Sequence, residues 1–363
     1  MSTPGRPKGE YRSAQHEGTP VSPPGRPEGD VRSARHDGSA VRAAPAGPTY
    51  AEAARDALAD AMAADARVVV LGEDVGRGGI FGQYAGLQAR FGPERVVDTP
   101  ISEATIAGAG VGLALAGCRP VVELRVVDFA LCAMDEIANQ AAKNRYMFGG
   151  QGRVPMVLRM PGGIWSASAA QHSQSMEAWF AHLPGLVVVA PSSAADNAAL
   201  LRQAIACDDP VAYLEHKELW AHRDADSAGH APAVLGQARV CHRGDDLTIV
   251  SWSRQLHWAL EAAEALADQG VRAEVIDLAT LWPWDRDTVL ASAARTGRLL
   301  VTHEAVQVAG FGAEIAASAA EAVGCKVRRA GAPRIPVGYA PTLEEAARVR
   351  PAAIVAAALE LLR

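Results

Sequence analysis

Several short runs of this chain are apolar from end to end and too brief to be helices: RVVVLG (67–72), VPMVLR (154–159), LVVVA (186–190) and LTIVSWS (247–253). Runs of this length, rich in β-branched residues and lacking polar alternation, read as strands buried on both faces. Shorter or mixed runs at 96–98, 119–126, 210–216, 271–278 and 298–305 read as strands as well. Helical signals lie between them. Thr49 followed by Glu52 is a capping-box pattern opening an Ala-rich helix to about residue 64. Ser193 caps a helix to about 206, and 134–146 reads as a third. In 255–268 Leu256, Leu260, Ala263 and Leu266 share one face, and Gly270 closes that helix. Doubly covered strands alternating with helices predict an α/β protein of two three-layer domains, each built on a parallel sheet.

The expected boundaries are a tail at 1–48, a first domain at 49–220, a polar linker at 221–240 and a second domain at 241–363. In the tail PGRPKGEYRSAQHEG recurs as PGRPEGDVRSARHDG, with few large apolar residues, so it cannot bury enough surface to offset its ordering entropy. Two such copies are too few and too polar for a solenoid. A formal net charge of −6 does not suggest a nucleic-acid binder. Cys118, Cys132, Cys207, Cys241 and Cys325 include no Cys-x-x-Cys pair, which argues against a metal or disulfide framework and fits a reducing cytoplasm. No apolar run has the length of a bilayer span, and the N-terminal stretch lacks the apolar core of a signal peptide.

Two segments carry candidate chemistry. DTPISEATIAGAGVGLALAG (98–117) puts a lone acid, Glu103, at the head of a small-residue helix. An acid in a first turn behind a Ser102 cap gains roughly 0.3–1 kcal/mol from the helix dipole, whereas apolar surroundings would desolvate it and ready it for proton exchange. Gly108, Gly110 and Gly112 lie inside the helix and do not follow a strand directly, which argues against a dinucleotide loop. Each costs roughly 1 kcal/mol against Ala, so together they predict a face that approaches another backbone closely. The second segment, SASAAQHSQSMEAWF (166–180), follows a strand and the loop MPGGIW, where open α/β sheets bind ligands. His172 there is a candidate acid or base. Ser173 beside it makes no hydrolase, because no G-x-S-x-G elbow is present. The chain has neither a G-x-x-x-x-G-K-[ST] loop nor a G-D-G followed some two dozen residues later by Asn.

LGEDVG (71–76), DTPISEA (98–104), Asp128-Phe129, NQAAKNRYMFGG (139–150), AAQHSQS (169–175) and DDPVAYLEHK (208–217) together resemble the β subunit of the thiamine-diphosphate-dependent E1 component of 2-oxoacid dehydrogenase complexes. The resemblance runs from about residue 49 to 363 and is strongest to the pyruvate and acetoin branches. The tail has no counterpart in it, and MPGGIWSAS departs from the commoner sequences around the His.

The resemblance implies a thiamine-binding pyrimidine-type domain followed by a transketolase C-terminal-like domain. It implies that Glu103 hydrogen-bonds N1′ of the cofactor's aminopyrimidine, promoting loss of the thiazolium C2 proton, and that Glu73 and Phe129 also contact the cofactor. His172 would stabilise charge or move a proton during transfer to a lipoyl group. A structural potassium ion would sit among oxygens at Met156, Ala204, Ile205, Cys207 and Asp209. The missing G-D-G motif then assigns Mg2+ and the diphosphate to an E1 α subunit in an α2β2 heterotetramer. The C-terminal domain would support the dimer and dock an E2 lipoyl acyltransferase core. The function implied is oxidative decarboxylation of a small 2-oxoacid, pyruvate foremost, with acetoin or a branched-chain 2-oxoacid as alternatives. A non-catalytic scaffolding paralogue is a further reading, against which intact Glu103 and His172 argue. No nucleic-acid or membrane partner is expected.

Overall fold

Twelve strands make two sheets among residues 47–224 and 231–363, the residues described by this computed structural model. In chain order they are β1 Val68–Gly72, β2 Val96–Asp98, β3 Arg119–Glu123, β4 Val157–Gly162, β5 Val187–Val189 and β6 Val211–His216, then β7 Arg239–His242, β8 Leu247–Ser251 and β9 Ala273–Asp277, then β10 Thr280–Trp282, β11 Arg298–Val306 and β12 Lys326–Ala332. The first sheet runs β10-β5-β6-β4-β3-β1-β2 and the second β12-β11-β8-β9-β7. All neighbouring pairs are parallel except β10 with β5 and β7 with β9, which are antiparallel edges. The expectation of purely parallel sheets is corrected at those two edges.

Local signals act as their chemistry predicts. Thr49 and Glu52 close a reciprocal capping box at the head of helix Tyr50–Ala64, and Ser193 accepts from the Asp196 N–H to start helix Ala194–Ala206. The single helix expected at 134–146 is broken instead. A 3₁₀ segment, Val127–Ala133, leads into a wide π-type turn at Glu136–Ala141 and then a short helix, Ala142–Met147. Such register changes cost one or two hydrogen bonds and leave no trace in residue periodicity.

The two sheets share one core. A single apolar cluster includes Leu124, Met156, Phe180 and Leu186 beside Trp252, Ile276, Leu281 and Phe311. β10 lies between two strands of the second sheet in sequence yet hydrogen-bonds to β5 in the first. Of the stretch expected as a linker, 221–240, residue 239 already begins β7, and 225–230 lie outside the described residues. The expected tail lies outside them too, apart from Gly47 and Pro48. No helix among the described residues is long and apolar enough to cross a membrane.

Candidate active site

Parallel strands place all their carboxyl ends along one edge of the sheet, and open α/β sheets bind ligands there. Glu73 directly follows β1, Glu103 follows β2 after four intervening residues, Phe129 follows β3, and the loop with His172 follows β4. The four predicted residues therefore share one edge.

Glu103 is the first residue of helix Glu103–Leu115 and is half-buried. Ser102 occupies the position before it, but its side chain makes no capping bond, which corrects the expected cap. The acid thus keeps its place at the dipole's positive end without a hydroxyl competing for the same N–H groups. Glu73, largely buried, stands within electrostatic reach: burial first and then the charge of Glu103 raise its carboxyl above the ordinary value, against the pull of Arg125. Arg125 reaches Glu73 at 4.0 Å and Asp74 at 2.6 Å.

The Glu103 helix packs against the 3₁₀ segment that carries Phe129. The half-buried Phe129 ring meets the exposed His172 imidazole edge to face, centroids 5.2 Å apart at 78°. Asp128, buried beside Phe129, accepts from Gln174 Nε2 at 2.8 Å and from its backbone N–H at 3.3 Å, while its other oxygen has no partner. This ties the Phe129 turn to the His172 loop.

Sequence reasoning missed three supporting charges. Lys217, buried at the end of β6, donates to the His172 carbonyl oxygen; burial lowers its amine's affinity for a proton, opposed by Asp128, Glu304 and Glu344. Glu304 and Glu344 come from the second sheet's half of the chain and hold the loop itself. The only sequence signal was a His-Glu pair, His303 and Glu304, interrupting the apolar run RLLVTHEA. Below the site Glu123 ends β3 fully buried. It accepts from Tyr84 Oη at 2.5 Å and Gln83 Nε2 at 3.2 Å, and burial pushes its carboxyl up to about 7. Arg159 pairs with Glu215 at 2.5 and 2.9 Å and lies over the Tyr84 ring.

The potassium residues fall at the opposite edge, before β4 and β6. Their oxygens already have partners. Met156 O accepts from Val211 N at 2.8 Å, Ala204 O from Cys207 N at 3.2 Å, and Asp209 Oδ1 from Arg145 at 2.6 Å. The Arg119 guanidinium donates to Ile205 O at 2.9 Å and Cys207 O at 3.0 Å, and pairs with Asp208 at 2.8 Å. The Arg119 guanidinium thus bonds two of the carbonyls named for potassium, and each of these oxygens keeps a second lone pair.

The pyrimidine half of a thiamine site does fit. An acid at a helix start has a second acid within electrostatic reach, and a half-buried aromatic ring meets an exposed imidazole, all beyond the carboxyl ends of β1 to β4.

Fold and site define a protein of the transketolase type. Residues 46–222 match the family model "Transketolase, pyrimidine binding domain" and 236–354 match "Transketolase, C-terminal domain". The chain is similar to pyruvate dehydrogenase E1 component subunit beta of Rickettsia bellii, 44% identical over 82% of this chain and 94% of that one. It is similar to 2-oxoisovalerate dehydrogenase subunit beta of Bacillus subtilis, 40% identical over 86% and 98%. It is also similar to acetoin:2,6-dichlorophenolindophenol oxidoreductase subunit beta of Cupriavidus necator, 40% identical over 86% and 96%. Among solved structures it resembles a split gene transketolase described as an inactive beta4 tetramer, with TM-score 0.74 and 25% identity over 87% of this chain and 98% of that one. The chain belongs to the family of E1 β subunits of 2-oxoacid dehydrogenases.

Proposed function

We propose that this chain is the β half of a pyruvate dehydrogenase E1 component and completes its active site only with an α subunit. The observation that carries the reading is the line of Glu73, Glu103, Phe129 and His172 along one open sheet edge, in a chain 44% identical to a pyruvate dehydrogenase β subunit. When bound, thiamine diphosphate supplies a nucleophilic carbon and an electron sink for decarboxylation. Glu103 holds a proton at N1′ of the aminopyrimidine. Glu73, whose carboxyl is raised by burial and by Glu103, stands beside Glu103 as a second acid at the pyrimidine. Phe129 offers its ring to the pyrimidine. His172, exposed where the open face meets solvent, moves a proton at the oxygen of the reacting carbon during transfer to a lipoyl group. Lys217 holds the His172 backbone.

Mg2+ and the diphosphate belong to the α subunit, because this sequence has no motif for them. The partners are then that subunit, in an α2β2 assembly, and an E2 lipoyl acyltransferase, within the cytoplasm.

The test is to co-purify the chain with an α subunit and assay pyruvate, 2-oxoisovalerate and acetoin. Pyruvate should give the highest kcat/KM; preference for either of the others would reassign the substrate to the branch of the 40%-identical relatives. Glu103→Gln should fold normally and lose roughly 10²–10⁴-fold in kcat, the range for a positioned proton-transfer group. Near-normal turnover would refute the role of Glu103.

A further inference from the structure

The loop that carries His172 is gripped at both ends by one side chain from the other sheet. Glu304 lies in β11 and is 6% exposed. Its Oε1 accepts from the Ile164 N–H at 2.8 Å, where the loop leaves β4, and from the Ser175 hydroxyl at 3.1 Å, where the loop returns. Both its oxygens lie 3.0 Å from His216 Nε2 at the end of β6. The His216 Nδ1 accepts from the Glu218 N–H, so Nε2 carries the hydrogen that faces Glu304. Burial alone would raise the Glu304 carboxyl, but the His216 ring and the Ile164 N–H hold it below its ordinary value.

The loop between these grips holds strained backbone. Ser166, Ala167 and Ala169 have φ of 50°, 54° and 63°, a region that residues with a Cβ seldom occupy unless their surroundings impose it. Glu344 supplies a second hold, accepting from the Ala167 N–H at 2.6 Å, and is itself fixed by Arg348 at 3.0 Å. Gly163, at the loop's start, has φ +83°, and a Cβ there would strike the His216 ring at 2.1 Å, so the hinge is packed tightly against the same pair.

We propose that Glu304 is a positioning residue for acyl transfer: by clasping Ile164 and Ser175 it sets where the His172 imidazole stands against Phe129. A carboxylate buried in an apolar strand is costly unless fully partnered, and here every partner named belongs to the first sheet's loop or strand end. The second domain therefore acts on the chemistry of the first through the loop that carries His172. The proposal rests on the role of His172 given above.

The experiment uses the assembled α/β enzyme with pyruvate, free lipoamide and a dye acceptor, in Glu304→Ala, Glu304→Gln, His172→Asn and the His172→Asn/Glu304→Ala double variant. Hydrogen exchange is followed over residues 163–176. Glu304→Ala should slow lipoamide acylation at least tenfold, leave the KM for pyruvate within about twofold, reduce dye-linked decarboxylation less, and raise exchange in the loop. Glu304→Gln, which keeps an acceptor for Ile164 and Ser175, should recover most of the loss. The double variant should be no slower than His172→Asn alone, because both changes remove the same placement. Unchanged exchange in the loop, equal losses in both assays, or additive losses in the double variant would overturn the proposal. Should Glu304→Ala fail to fold, Ser175→Ala removes one grip and carries the same test with a smaller amplitude. Normal acylation by His172→Asn would sink the role of His172; the clasp would then stand or fall on the exchange measurement.

Discussion

A buried imidazole shows how single residues set the pH response of this chain. His303 is fully buried and stacks on Trp252 at 5.3 Å. Its Nδ1–H donates to Ala305 O at 2.9 Å, and its Nε2 has no partner. Protonation would bury an unpaired N–H and a charge, so burial pushes its pKa down to about 4. The unfolded chain binds that proton near the ordinary value of about 6.5. The folded state binds fewer protons between those values, so the residue's share of stability is lost as pH falls from about 6.5 toward about 4. Glu123 and Asp277 act in the opposite sense, since burial raises both to about 7 and the fold then favours their protonated forms as pH falls. The wild-type acid limb is a sum of opposed slopes, and a variant separates them. His303→Phe keeps the stack and loses the titration. It should be less stable than wild type at pH 8, with the deficit shrinking by about 2 kcal/mol at pH 5. Urea midpoints at the two pH values check this; a constant deficit would show that the ring does not titrate as described.

The helix Glu103–Leu115 contains three glycines that look alike in sequence and differ in the fold. A Cβ on Gly110 would lie 2.5 Å from Val122 Cγ2 and 2.6 Å from Met156 Sδ, whereas nothing stands within 4 Å of one on Gly112 and only Glu136 Cγ, at 3.5 Å, near one on Gly108. The close approach is made at Gly110 alone, and to side chains of β3 and of the residue before β4 rather than to the backbone expected. Gly110→Ala should destabilise the isolated chain by about 1–3 kcal/mol through overpacking, less the helix-propensity gain. Gly112→Ala should stabilise it by up to about 1 kcal/mol. Thermal melts of the two variants should move in opposite directions; shifts of the same sign would contradict the packing described. Where the sequence carried a local rule, as at Thr49, Ser193 or the apolar strands, the element was legible. The 3₁₀ and π-type turns between 127 and 141 were not, because they answer to where Phe129 must meet the His172 loop rather than to the propensities of ALCAMDEIANQA.

At the scale of the molecule the two sheets are joined more closely than a domain boundary suggests. β10 completes the first sheet by pairing with β5. Arg239, opening β7, bridges Asp196 of helix Ala194–Ala206 at 2.5 Å and Asp277 of β9 at 3.3 Å, and both acids are buried. One apolar cluster runs through both halves. Unfolding should therefore be a single event. Hydrogen exchange under increasing urea, followed separately over β1–β6 and over β8–β12, should give coincident transitions; a second-half transition that precedes the first by a clear margin would show separable domains. The same scale governs activity. The candidate residues follow the carboxyl ends of β1 to β4, and the sequence has no diphosphate motif, so the chain purified alone should decarboxylate no pyruvate and regain activity on adding an α subunit. Turnover by the lone chain would overturn the split-site reading.

The sequence by itself determined the class of fold, nine of the twelve strands and the caps at Thr49 and Ser193, because burial on both faces and capping are rules of short range, whereas β7, β10 and β12 carried no such signal. Tertiary structure alone decided which charges hold the site. Glu304 and Glu344 reach the His172 loop from more than a hundred residues away, and Arg119 reaches the carbonyls of Ile205 and Cys207 across more than eighty. A buried charge is stable only beside its partners, and the partner is chosen by packing in three dimensions, which no spacing along the chain encodes.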